Sequence, residues 1–147
     1  MFEGTLRDWK LVLSFTVFSV LFWLAEFAFQ FYYYTPGILQ ISLVRAFAFS
    51  GTTFFAISLL SSSLFRWFPK LAKYWTIRRA LGVVGTVFII GHVLTATNVF
   101  FQGNILNVFY SLNPFENPIV FGAIAYPFFI ILSLVSTDWA VRKMGAK

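Results

Sequence analysis

The chain has 147 residues, 59% of them hydrophobic, 22% aromatic and only 11% charged, with a mean hydropathy of +0.80. That balance exceeds what a water-facing surface carries and defines a membrane chain, with room for roughly four spans of about 20 apolar residues and none for a separate soluble catalytic domain. Cysteine is absent, which excludes disulfides, thiol catalysis and cysteine-ligated iron–sulfur clusters, so any metal centre must use nitrogen or oxygen ligands.

The first apolar run, LVLSFTVFSVLFWLAEFAFQFYYY, covers residues 11–34 and closes on Thr35-Pro36-Gly37, a turn signal behind an interfacial tyrosine belt. It is too long for the apolar region of a signal peptide and has no small-x-small cleavage site before the tyrosines, so it reads as a retained span. The second run, residues 38–65, gives way to a basic connection holding Arg66, Pro69, Lys70 and Lys73. A third span covers 78–101 and opens on Arg78-Arg79. Residues 102–118, QGNILNVFYSLNPFENP, are rich in Asn and contain two prolines, predicting a loop with an interfacial turn around Ile105 to Leu112. The fourth span, 119–137, carries Pro127, whose missing N–H either kinks the helix or is a packing detail. No repeat or linker divides the chain. The expected fold is therefore all-α: one transmembrane domain, residues 1–147, forming a four-helix bundle.

The cations give the orientation. With four spans, Arg7, Lys10, Arg66, Lys70, Lys73, Arg78, Arg79, Arg142, Lys143 and Lys147 all lie on one side, and the opposite loops contain no Lys or Arg. The positive-inside rule then places both termini in the cytoplasm. Aromatics interleave the basic loop between two spans, so anionic lipid is its expected partner and nucleic acid is not.

Ionisable groups inside spans are functional candidates by default. Glu26, Arg45 and His92 fall at about 14, 12 and 14 Å from the outer ends of their helices, at ~1.5 Å per residue, and so occupy one layer of the outer leaflet. Glu26 and Arg45 could form a charge pair between antiparallel neighbours, or Arg45 could offer its guanidinium to an anionic group such as a cofactor propionate. His92, the single histidine, could be a neutral imidazole bonded to a neighbouring helix or a metal ligand. Leu81, Gly85, Phe88, Ile89, Thr95 and Ala96 share its face, and Gly85, two turns below, would leave a gap for a flat macrocycle. Gly82, Gly85 and Gly91 could instead be a seam for tight helix packing, with Ala80 and Gly51 as partners. Composition and spacing leave these alternatives open.

One stretch carries a family likeness. Arg45, Ala46 and Gly51 in the second span are followed by Arg78-Arg79-x-Leu81-Gly82 and His92 in the third, then by Asn117-Pro118, Gly122-x-Ile124-Ala125, Ser136-Thr137-Asp138, Arg142 and Gly145. In this order, over residues 38–147, the chain resembles the ferric-reductase-like transmembrane family, in particular the haem-binding membrane subunits of bacterial methionine sulfoxide reductase systems. The resemblance implies the first part of a six-helix domain that holds haem b between histidines of different helices and passes electrons across a bacterial or archaeal cytoplasmic membrane. It implies that His92 is an axial iron ligand. The candidate cofactor-binding set is thus His92, Arg45, Gly85, Arg78 and Arg79, with Arg45 near a propionate and Arg78 and Arg79 anchoring the third helix.

Family members continue past a segment like RKMGAK into a helix with a Trp-x-x-Leu-His pattern and a further histidine-bearing helix. The expectation is therefore a truncated or split member, a subunit that pairs with a second membrane chain or another copy of itself, or one that has lost bis-histidine haem. No G-x-G-x-x-G nucleotide fingerprint is present. Electrons would come from a flavoprotein or a quinone and leave to a redox acceptor. Two other functions fit the residues: a cofactor-free assembly or anchor subunit with an internal Glu/Arg/His cluster, and, ranked last, a small proton relay. Hydrolysis has no support, because Asp138 lies far in depth from His92 and Ser61 to Ser63 sit near the basic loop.

Overall fold

The computed structural model describes residues 9–135 apart from 114 and 118. Those residues form helices joined by short turns, with no strand among them. Helix α1 spans Trp9–Phe29 and runs into a π-helical turn, Gln30–Tyr34. Helix α2 is Leu39–Trp67, α3 is Trp75–Phe101 and α4 is Ile119–Val135. Short 3₁₀ turns at Pro69–Tyr74 and Ile105–Phe109 lie between α2 and α3 and between α3 and α4. The second of these corresponds to the turn expected within 102–118, and α2 and α3 extend a turn or less beyond their expected limits.

Three segments, Leu13–Tyr34, Leu39–Trp67 and Ala80–Phe101, are long and apolar enough to cross a membrane, and Ile119–Ile131 is a shorter apolar helix. Most of their large side chains are exposed on the outside of the helix assembly. That distribution suits a lipid environment, where apolar surface needs no covering.

Helices α2 and α3 form the principal antiparallel pair, α1 packs on α2, and α4 meets α3 more lightly. Glycine sets how closely α2 and α3 approach. A Cβ on Gly85 would lie 3.0 Å from the Phe55 ring, 3.2 Å from the Gly51 carbonyl oxygen and 3.2 Å from the Phe55 nitrogen. On Gly51 it would meet the Ile89 side chain at 2.8 Å, and on Gly91 the Phe47 ring at 2.8 Å. The small residues therefore form a packing seam, one of the two roles their spacing allowed.

Polar bonds fasten the seam at both ends. Near one end the Ser58 hydroxyl donates to the Arg78 carbonyl at 2.9 Å while Arg78 Nε donates back to the Ser58 carbonyl at 3.3 Å. Near the other, His92 Nδ1 bonds the Val44 carbonyl at 2.9 Å. Between them the core is aromatic. Phe54, 1% exposed, stacks on Phe88 of α3 at 5.6 Å and meets Phe22 of α1 edge-on at 5.3 Å. Trp23 reaches Phe47 at 5.0 Å, bringing α1 into the same cluster.

Turn chemistry matches the sequence signals. Thr35 closes the π-helical turn, its N–H and hydroxyl both donating to the Gln30 carbonyl at 2.8 and 3.1 Å. Gly37, at φ +76°, reverses the chain into α2. The Thr35 and Ser42 hydroxyls lie 2.7 Å apart, both buried, which ties the end of α1 to the start of α2. Helix α3 ends on Gln102 and Gly103, both with positive φ, and Gly103 N–H returns to the Thr97 carbonyl at 3.1 Å. Asn117, fully buried, donates to the Val108 and Ser111 carbonyls at 2.7 and 2.9 Å and makes the Asn-rich connection an ordered cap. Helix α4 continues through Pro127 without a break, and Phe129 contacts Phe55 at 4.8 Å. The expected extension of the fourth span to 137, and the quoted residues Pro118, Ser136, Thr137, Asp138, Arg142 and Gly145, lie outside the described residues.

The seam yields a stability comparison. Gly85→Ala forces a methyl against backbone atoms that cannot step aside and should cost about 1–3 kcal/mol. Gly122 has nothing within 4 Å of a built Cβ, so Gly122→Ala should leave stability unchanged or raise it by at most about 1 kcal/mol. Unfolding titrations of the detergent-solubilised protein measure both, and equal effects would contradict the seam.

Candidate functional site

Glu26, Arg45 and His92 share one depth, as their positions along the helices anticipate. The Val44 carbonyl that holds His92 is one residue from Arg45. The Trp23–Phe47 contact sets those two residues level on α1 and α2, which puts Glu26, three residues on, close to the level of Arg45. Yet the three side chains do not converge.

His92 belongs to the α2/α3 seam. A carbonyl only accepts, so Nδ1 carries the hydrogen of the bond to Val44. A neutral imidazole in this geometry is the Nδ1–H tautomer, with its lone pair on Nε2. Gly91, the preceding residue, takes the Phe47 ring, and Phe88, one turn away, lies against Phe54 and Phe47. The gap expected over Gly85 is filled by Phe55 and the α2 backbone. A flat ligand held by His92 therefore has to approach from another side of the ring than the Gly85 face.

Glu26 and Arg45 belong to a groove between α1 and α2. Its volume is about 630 Å³, and its lining is Glu26, Phe29, Gln30, Tyr34, Arg45 and Phe49. The direct charge pair weighed from sequence does not form: Arg45 makes no hydrogen bond or ion pair with any described residue, and Glu26 accepts only from Gln30 Nε2, at 2.9 Å. Sequence reasoning missed Gln30. It is 3% exposed, and its Oε1 is buried with no donor, while the indole N–H of Trp23 is buried with no acceptor. The available signal was a lone amide one turn past an intramembrane carboxylate, a spacing at which helix side chains meet.

Arg78 is half-buried and engaged with Ser58 across the seam. Its helix-end position follows from the sequence, whereas its partner does not, because a serine twenty residues earlier carries no local mark. The Arg79 side chain lies outside the description. Among the described residues no three of His, Asp and Glu gather as a metal site. No family model, curated protein or solved structure matches this chain.

The tautomer is directly measurable. In the nitrogen-15 spectrum of histidine-labelled protein, Nδ1 of His92 should carry a hydrogen. A neutral ring protonated on Nε2 would remove the Val44 bond from the native state.

Proposed function

We propose that this protein is a haem b-binding transmembrane electron-transfer component, ferric-reductase-like in plan, with His92 as an axial ligand. The observation that carries this reading is the bond from His92 Nδ1–H to the Val44 carbonyl at 2.9 Å. Metal-ligating histidines characteristically donate their second ring N–H to a carbonyl or carboxylate, which fixes ring and tautomer and raises the basicity of the coordinating nitrogen. The bond leaves the Nε2 lone pair for coordination. A solitary imidazole is a poor match for a bare ion, which needs several protein ligands, but it suits an iron that brings four porphyrin nitrogens. The Arg78-Arg79-x-Leu81-Gly82 to His92 spacing supports the same family.

Bound haem supplies one-electron transfer at a potential set by its ligation and burial. The protein's share is positional. The glycine seam holds α2 and α3 at one separation, the Val44 carbonyl orients the imidazole, and the Phe47, Phe54 and Phe88 cluster keeps water from the ring's packed side. His92 is the single histidine, so a second axial imidazole comes from outside these 147 residues. With no nucleotide fingerprint in the sequence, a flavoprotein or quinone is the donor class, and a separate redox protein the acceptor.

In the same reading α4 is a fourth span and both termini are cytoplasmic. The 66–79 connection carries Arg66, Lys70, Lys73, Arg78 and Arg79, whereas residues 30–38 and 102–118 carry no cation. The absence of cysteine makes this simple to test. In intact cells a membrane-impermeant maleimide should label Leu112→Cys, and should label Lys70→Cys only after permeabilisation. The opposite pattern reverses the orientation, and equal labelling removes α3 as a span.

A second reading has its own observation in favour. The filled Gly85 face suits a cofactor-free assembly subunit in which the His92–Val44 bond only joins helices. Absorption spectra separate the two. Protein expressed with ample haem should show a Soret band that shifts on reduction and disappears in His92→Ala while helical content is retained. A colourless wild type selects the cofactor-free subunit, and a band unchanged in the variant ends the role of His92 as ligand.

A further inference from the structure

His92 does not line the groove between α1 and α2, and the haem reading draws on that groove only through a propionate on Arg45. It presents a problem of its own. A guanidinium and a carboxylate sit level with each other inside the apolar part of the chain and line one groove without pairing. Unpaired charges at membrane depth are strongly disfavoured and call for partners.

We propose that this groove binds a phosphoethanolamine headgroup, the phosphate on Arg45 and the ammonium on Glu26, supplied by the bilayer as phosphatidylethanolamine. Opposite charges held apart match a ligand that carries both signs. A net anion would leave Glu26 unanswered, and a net cation would leave Arg45 so.

The geometry favours a primary ammonium. Gln30 Nε2 donates to Glu26 Oε1 at 2.9 Å and so turns the carboxylate along α1 toward the end that carries Tyr32–Tyr34. The carboxylate makes no other hydrogen bond among the described residues. Gln30 is only 3% exposed and its Oε1 is buried, so the carboxylate is the acceptor that this side of the groove presents. The groove thus offers the remaining lone pairs of the Glu26 carboxylate, which an –NH₃⁺ meets with N–H donors and a trimethylammonium cannot. Opposite them the planar fork of Arg45 suits phosphate oxygens.

Position and size agree with a lipid. The groove reaches Tyr34, in the tyrosine belt that marks an interface, so it lies within reach of the headgroup layer. Its volume of about 630 Å³ falls within the roughly 300–1,000 Å³ typical of small-molecule sites. Phe29, Tyr34 and Phe49 supply apolar walls for the glycerol and the first methylenes. A haem propionate on Arg45, weighed from the sequence, would leave the negative charge of Glu26 with the neutral Gln30 amide as its one partner among the described residues.

Native mass spectrometry of the full chain in a mild detergent tests the assignment. Phosphatidylethanolamine, its N-methyl and N,N-dimethyl forms, phosphatidylcholine and phosphatidylglycerol are added at equal concentration. Retention by the wild type should fall with each methyl, by about tenfold over the series, in keeping with the loss of hydrogen bonds to a charged group. Glu26→Gln should erase the preference for the ethanolamine lipid over the choline lipid, and Arg45→Gln should weaken both. Arg45→Lys should restore part of the retention. Soluble glycerophosphoethanolamine displacing the lipid at comparable concentration supports the headgroup chemistry and adds a soluble source. Equal retention of ethanolamine and choline lipids by the wild type overturns the proposal without recourse to any variant. So does an Arg45→Gln protein that keeps the lipid but loses haem absorption, which would return Arg45 to a propionate.

Discussion

The close approach of α2 and α3 is the constraint on which the rest of the molecule depends. Lipid removes the hydrophobic drive between helices, because a leucine facing an acyl chain is as well solvated as one facing another leucine. Association then rests on surface match, dispersion and hydrogen bonds. Gly51, Gly85 and Gly91 provide the match by bringing side chains and backbone of one helix onto the bare backbone of the other. The Ser58–Arg78 exchange and the His92–Val44 bond provide the polar ties. Carbonyls of Val44, Ser58 and Arg78 each belong to a helix and can still accept from a side chain, because a carbonyl oxygen has two lone pairs.

That seam divides the polar layer of the protein into two compartments. His92 faces into the α2/α3 contact, where its ring is oriented by the backbone of the neighbouring helix. Glu26 and Arg45 face the α1/α2 groove, where no such closure exists. The phenylalanines between them do the separating: Phe47 contacts Trp23 of α1 on one side and Phe88 of α3 on the other. A single internal Glu/Arg/His cluster is therefore not what these helices build. Each compartment needs its own functional account, one centred on a nitrogen lone pair and the other on a pair of separated charges.

Much of this architecture was legible in the chain. Apolar run length and the Thr35-Pro36-Gly37 turn located the helices to within a few residues, because membrane burial and proline and glycine stereochemistry act locally. The depth of Glu26, Arg45 and His92 followed from helical rise alone. What spacing left open was azimuth: whether Gly85 opens a gap or accepts a neighbour depends on which helix lies beside it, and periodicity in an almost wholly apolar span barely marks one face. Phe55, which fills that space, looks in sequence like any other phenylalanine of the second span. The same blindness hid Ser58 and Gln30, whose importance comes from a partner or from the lack of one. The Asn-rich connection read as a loop, and its composition gave no sign that Asn117 would be wholly buried with two carbonyls in its grasp.

The π-helical turn at Gln30–Tyr34 has a consequence for how the first helix meets the second. Widening one turn takes up an additional residue with little change in axial length, so the chain beyond it is rotated by a fraction of a revolution relative to the α-helical part before it. It acts as a phase adjuster. Upstream, Trp23 packs on Phe47 of α2; downstream, Thr35 is delivered to Ser42. The change of phase between the helix and its exit is thereby made within five residues.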